Sequence, residues 1–149
     1  MKEFEQTYFI DTNIFLRIFV KENTKSYNDC FEMFNKIKNS KAPYTFYTGN
    51  IVTSEVLWTL TSYYKETKIN IIENLNAIAH NKNLSIIDDY DLNTALVIFE
   101  NFNIKFADAL IASIPKIREK KWTVISYDKD FDKIGVIRKE PSQVVKILS

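Results

Sequence analysis

Short runs rich in β-branched and aromatic residues alternate along this chain with longer stretches of helical periodicity. That alternation constrains the fold most, because strands separated by helices pair in parallel, through crossovers that cover the sheet. Thr7 to Ile10, Tyr44 to Thr48, Leu84 to Ile87 and Thr123 to Ser126 read as strands, with a last short one at Val136 to Ile137. Pro43 and Gly49 punctuate the second. Helical spacing covers Asn13 to Val20, Ser26 to Lys38, Asn50 to Tyr64, Ile69 to Ala79, Leu92 to Phe102 and Phe106 to about Lys120. Pro115 lacks an amide donor and is expected to kink or shorten the last of these. The helix from Asn50 carries Ile51, Val52, Val56, Leu57, Trp58 and Leu60 nearly all round its axis, as in a helix buried on several sides. The expected fold is therefore α/β: three α/β/α layers around a mainly parallel sheet of four to five strands.

A chain of 149 residues is about one domain, and no composition break, repeat or Gly/Ser linker divides it. At 46% hydrophobic and 14% aromatic it lies well outside the composition of disordered chains. The net charge of +1 does not announce a nucleic-acid partner. It does not exclude one, because an acidic centre cancels a basic rim in the total. Cys30 is the single cysteine, so no intramolecular disulfide forms; between Tyr27, Phe31 and Phe34 it reads as a packed thiol, which fits a reducing cytoplasmic setting. Met1 to Gln6 carries both signs of charge, and no apolar run approaches the ~18 residues of a membrane span. Neither a secretion signal nor an anchor is expected.

Four carboxylates fall where solubility explains them poorly. Asp11 closes the first strand and is followed by Thr12 and Asn13, so it either projects from the carboxyl edge of the sheet or caps the next helix. Glu55 projects between Ile51 and Val52 and close to Trp58, where an unpaired acid is costly and needs a cation, a hydrogen-bonding partner or a cleft. Asp108 lies in the first turn of its helix, a position that the helix dipole also favours. Asp128 follows the strand ending at Ser126, with Asp130 and Asp132 just beyond, in a segment that also fits a solvated turn. Strand-end placement brings Asp128 to the same sheet edge as Asp11, where ligands of α/β sheets gather, and acids from separate elements converging there matter more than any one of them. Hard cations such as Mg2+ or Mn2+ take carboxylate oxygen and make such a cluster tolerable. Two such ions activate water and stabilise the leaving oxygen of a phosphodiester.

Other chemistries fail on inventory. His80 is the sole histidine and sits near a helix end, which suits a C-terminal dipole or surface role and excludes any mechanism needing two. There is no Gly-rich phosphate loop, paired-cysteine zinc motif or nucleophile elbow. The run Asp88, Asp89 and Asp91 most simply caps the helix from Leu92.

An apolar strand into Asp11-Thr12-Asn13, a helical Ser54-Glu55, then Phe106-Ala107-Asp108-Ala109-Leu110-Ile111-Ala112 and Ser126-Tyr127-Asp128-Lys129-Asp130-Phe131 resembles the PIN-domain family. Within it the chain is most similar to the VapC-type toxin ribonucleases of prokaryotic toxin–antitoxin modules. The resemblance runs from about Tyr8 to Ile137. It implies an endoribonuclease dependent on Mg2+ or Mn2+, with Asp11, Glu55, Asp108 and Asp128 in metal ligation and water activation. Thr12 or Asn13 would support the centre, and Asp130 is the alternative fourth acid. It also implies an RNA substrate, a cognate antitoxin protein and a homodimer. Tyr127 departs from the small polar residue common at its position.

Arg17, Lys21, Lys25, Lys105, Lys116, Lys129 and Lys133 lie near the expected centre in sequence or one helix away, as phosphate contacts would require. Tyr44, Phe46, Tyr47, Tyr63 and Tyr64 fit core packing better than base stacking. Three other readings compete: a processing nuclease outside toxin–antitoxin systems, a phosphate-transfer protein with Asp11 as nucleophile, and a non-catalytic RNA- or protein-binding module. Asn13 stands where an aspartate phosphatase needs a second acid, and the full set of acids argues against a decayed centre.

Overall fold

The computed structural model describes residues 6–40 and 44–148. Pro43 and the charged start at Met1 to Glu5 lie outside the described residues. Five strands form one sheet: β1 (Gln6–Ile10), β2 (Tyr44–Thr48), β3 (Leu84–Ile86), β4 (Thr123–Ile125) and β5 (Arg138–Lys139). Their order is β3-β2-β1-β4-β5, and every pairing is parallel. The central β1 pairs Tyr8 with Phe46 on one side and with Thr123 on the other. Tyr8, Phe9 and Ile10 are essentially inaccessible, as a strand covered on both faces requires.

The helices are α1 (Thr12–Val20), α2 (Thr24–Asn39), α3 (Asn50–Ser62), α4 (Lys68–Ala79), α5 (Leu92–Asn101), α6 (Phe106–Ser113), α7 (Pro115–Arg118), α8 (Asp130–Lys133) and α9 (Pro141–Leu148). From β1 the chain steps outward through β2 to β3, then returns across the sheet to β4 and on to β5. Right-handed crossovers in opposite directions place helices on opposite faces, which produces three layers. The α1 helix packs on both α2 and α3, α3 packs on α4, α5 to α7 pack in sequence, and α9 lies against α2. Ile14, Met33, Val52, Val56, Leu60, Ile111 and Ile114 fill the main core with the β1 side chains. Ala95, Ile104 and Ala109 make a smaller cluster between α5 and α6.

Three expectations are corrected. The helix from Phe106 does not run on to Lys120; it ends at Ser113, and Pro115 starts α7 at its first position, where a missing amide costs nothing. The last strand is Arg138–Lys139 rather than Val136 to Ile137, because Gly135, at φ 72°, still turns the chain there. The α3 helix is not buried all round: Val52, Val56 and Leu60 face the core, whereas Leu57 is 44% and Trp58 67% exposed.

Candidate metal centre

The strand order reverses between β1 and β4, and that is where the candidate residues collect. A crevice opens at such a switch point because the connections leaving two adjacent strands diverge. Asp11 follows β1 directly, and Ser126 to Asp128 follow β4. The Asp11 amide donates to the Ile125 carbonyl at 3.0 Å, continuing the ladder into the site.

Asp11 caps α1 and also sits at the carboxyl edge of the sheet, so the two readings of its position are compatible. As N-cap of α1 it accepts the Thr12 amide on Oδ1 at 2.8 Å, while Ser126 Oγ (2.7 Å) and Asn13 Nδ2 (3.2 Å) both donate to Oδ2. Thr12 Oγ1 donates to Glu55 Oε1 at 2.9 Å, which brings α3 to the same edge. Glu55 thus finds a hydrogen-bonding partner in Thr12, with no lysine within ion-pair distance among the described residues. Asp108, in the first turn of α6, is 1% exposed, and its Oδ2 is buried with no hydrogen-bond partner. One carboxylate oxygen each from Asp108, Asp128 and Asp130 lies within 4.8 Å of the other two. The acids therefore form two sets, Asp108–Asp128–Asp130 and Asp11–Glu55.

Electrostatics couples the sets. Burial, followed by the charge of Asp11, pushes the Asp108 carboxyl up to about 8. Burial also pushes Asp11 up to about 6, against the lowering by the Ser126 hydroxyl and Thr12 amide, with Glu55 raising it further. Desolvation lowers the Lys105 pKa, but Asp108, Glu55, Asp11 and Asp128 together outweigh it and hold that ammonium charged. Of the expected rim, Lys105 and Lys133 both feel the centre, Lys105 through all four of these acids and Lys133 through Asp130 and Asp128. Asp130 Oδ1 is paired with Lys133 at 2.8 Å, and its amide donates to Asp128 Oδ1 at 2.9 Å.

Sequence reasoning assigned no role to Ser126, yet its hydroxyl is the hub of this edge. Completely buried, it donates to Asp11 and accepts from Asn13 Nδ2 and from the Asp128 amide, both at 2.9 Å. A buried hydroxyl between an apolar strand and an acidic turn was the available signal. Asn13 has a matching role, since its Oδ1 accepts the Tyr127 amide at 3.1 Å. The acidic run before α5 divides its work. Asp91 is the N-cap of α5 and takes the Thr94 hydroxyl at 2.7 Å, whereas Asp88 caps α3 by accepting the Asn50 amide and Nδ2, both at 2.7 Å. His80 is the C-cap of α4, with Nδ1 3.0 Å from the Asn76 carbonyl.

The donor set suits a hard divalent cation. It is all oxygen, drawn from separate elements, and includes a buried carboxylate oxygen with no protein donor. Burial, more than mutual repulsion, raises the Asp11 and Asp108 carboxyls, and among the described residues neither has a cation within ion-pair distance.

A PIN domain family model matches residues 8–137, and the chain belongs to that family. No curated protein sequence matches it. Among solved structures it is similar to VapBC2 from Rickettsia felis, determined bound to a DNA fragment from their promoter, with 22% identity and a TM-score of 0.60 over 91% of this chain and 98% of that one. VapC20 of Mycobacterium tuberculosis, a toxin that cleaves the Sarcin-Ricin loop, aligns at 16% identity and a TM-score of 0.66, covering 90% and 99%. A Pyrobaculum aerophilum protein aligns at 10% identity and 0.63, covering 97% and 96%. At these identities the likeness is one of fold.

Proposed function

We propose that this chain is a metal-dependent endoribonuclease, the toxin of a toxin–antitoxin pair, working in the cytoplasm. The observation that carries the reading is the gathering of Asp108, Asp128 and Asp130 within 4.8 Å, with a buried, unpartnered oxygen on Asp108. Family membership and the fold shared with VapC20 support the reaction class.

Asp11, Glu55, Asp108 and Asp128 would hold Mg2+ or Mn2+. Asp128 is the fourth acid in this reading, because Asp130 is already paired with Lys133. A divalent ion, when bound, supplies Lewis-acid activation of water and neutralises charge at the scissile phosphate. The protein's own contribution is rigidity. Three donors fix Asp11, the Thr12 hydroxyl orients Glu55, and the Asp130 amide holds Asp128. Carboxylates locked in this way lose little freedom when they engage a ligand. Lys105 lends positive charge at the rim, where an RNA phosphate enters.

Two protein partners belong to the proposal. Leu92, Leu96 and Phe99 lie on one face of α5 and are 57%, 48% and 45% exposed, an apolar stripe that supports a homodimer. Leu57 and Trp58 on α3, with Ile69 and Ile72 on α4, are further exposed apolar side chains that support an antitoxin contact. No helix among the described residues is long and apolar enough to cross a membrane. The test is cleavage of a mixed RNA pool by purified protein with Mn2+, alongside Asp11→Asn and Asp108→Asn. Cleavage lost in both variants with the fold retained is expected; full activity in both would contradict the proposal.

A further inference from the structure

We propose that the cleft between α1, the start of α2 and Tyr127 is a phosphate subsite that holds an RNA strand beside the acidic centre, with Arg17 as its anchor. This deepens the ribonuclease reading and rests on it. The cleft has a volume of about 230 Å3 and is lined by Arg17, Asn23, Lys25, Ser26, Asp29 and Tyr127.

Its charge is unbalanced in a specific way. Lys25 Nζ pairs with Asp29 Oδ2 at 2.8 Å, so the one carboxylate in the lining is already engaged. Arg17 has no carboxylate within ion-pair distance among the described residues, and its Nε is buried without an acceptor. A partly buried guanidinium with no carboxylate partner is unfavourable, and an anion bound in the cleft offsets its charge. The guanidinium carbon lies 5.9 Å from the centroid of the Tyr127 ring, a cation–π contact that helps hold the fork in place. A planar fork fits two oxygens of a phosphate, which a lysine ammonium does not match.

Position selects RNA over an acidic peptide. Arg17 stands one helical turn after Asn13 on the same face of α1. Asn13 donates to Asp11 and accepts the amide of Tyr127, the residue before Asp128. Cleft and acidic centre thus share a wall. A strand whose scissile phosphate meets Asp108 and Asp128 carries another phosphate at each neighbouring nucleotide, and a cationic site against that wall is placed to meet one. An acidic peptide has no such fixed spacing from the centre.

The test measures binding of a fluorescein-labelled oligouridylate, about twenty nucleotides long, by anisotropy in chelator over a range of salt, with cleavage in Mn2+ followed separately. Arg17→Gln is expected to weaken binding about tenfold and to reduce the slope of log affinity against log salt by about 0.7, one single-strand phosphate contact. Arg17→Lys should restore the slope but only part of the affinity. Where RNA is cleaved, the loss should fall mainly on KM. Ser26→Asp places a like charge in the same lining and should weaken binding even if Arg17→Gln does not fold. Unchanged affinity and salt slope in a folded Arg17→Gln protein overturn the subsite, whether or not the protein cleaves RNA. So does weakened binding of a polyglutamate peptide with RNA binding intact. An Arg17-dependent affinity in a protein that cleaves nothing supports the subsite and counts against the ribonuclease reading instead.

Discussion

Ser126 Oγ donates to Asp11 Oδ2 at 2.7 Å, tying the carboxyl end of β4 to that of β1 across the switch point. Because the same hydroxyl accepts from Asn13 Nδ2 and the Asp128 amide, its removal leaves two partly buried donors and one buried carboxylate oxygen under-satisfied. Ser126→Ala is expected to destabilise the protein by about 1–3 kcal/mol in urea unfolding. Under the proposed function it also lowers kcat, since Asp11 loses its strongest restraint. Unchanged stability and activity would show that Ser126 is not the hub of this edge.

The metal-free protein should become less stable as pH rises. Folding raises the Asp11 carboxyl to about 6 and that of Asp108 to about 8 from an ordinary 3.8. Both bind their protons more tightly folded than unfolded, so their contribution is full below about pH 4 and is lost as pH climbs through the two folded values. Melting temperature in chelator should therefore fall between about pH 5 and 9. Mn2+ binds the deprotonated acids, so the stabilisation it adds should grow over that interval. A flat profile in chelator would contradict the buried, uncompensated carboxylates.

Gly49→Ala tests the start of α3, where Gly49 is the N-cap. A Cβ at Gly49 would run into the Tyr90 hydroxyl and come within 2.8 Å of the Ile87 carbonyl, and backbone does not yield easily. The substitution should cost about 1–3 kcal/mol by overpacking, read as a lower melting temperature. A neutral result would mean that the chain after β3 can move away from α3.

Much of this architecture was legible because element type follows from periodicity. Tyr44–Thr48 and the start of α3 at Asn50 fall where the pattern places them, bounded by Gly49. Shorter elements escaped. β5 has two residues, and α8 hides in Asp130–Lys133, which reads equally well as a solvated turn. Leu57 and Trp58 misled because hydrophobicity records that a side chain avoids water, and says nothing of whether this chain's core or a partner covers it. At the centre, strand-end acids were visible, but the Thr12–Glu55 and Ser126–Asp11 bonds join residues far apart in sequence, which no local pattern encodes.

The α5 stripe yields a prediction about assembly. Leu96→Glu places a charge amid Leu92, Leu96 and Phe99, all exposed in the single chain. Light scattering after gel filtration should show a dimer for the wild type and a monomer for Leu96→Glu, with little change in melting of the isolated chain. Two proteins of equal dimeric mass would place the contact elsewhere.

Cleavage of RNA by chelator-treated protein, titrated back with Mn2+ and compared with Asp108→Asn, bears most directly on the acidic centre. The expected result is no cleavage in chelator, activity restored by Mn2+ in the wild type, and none in Asp108→Asn, whose metal-free melting temperature at pH 8 is equal to or above the wild type's. Cleavage that persists in chelator, or that Asp108→Asn retains in full, would contradict it.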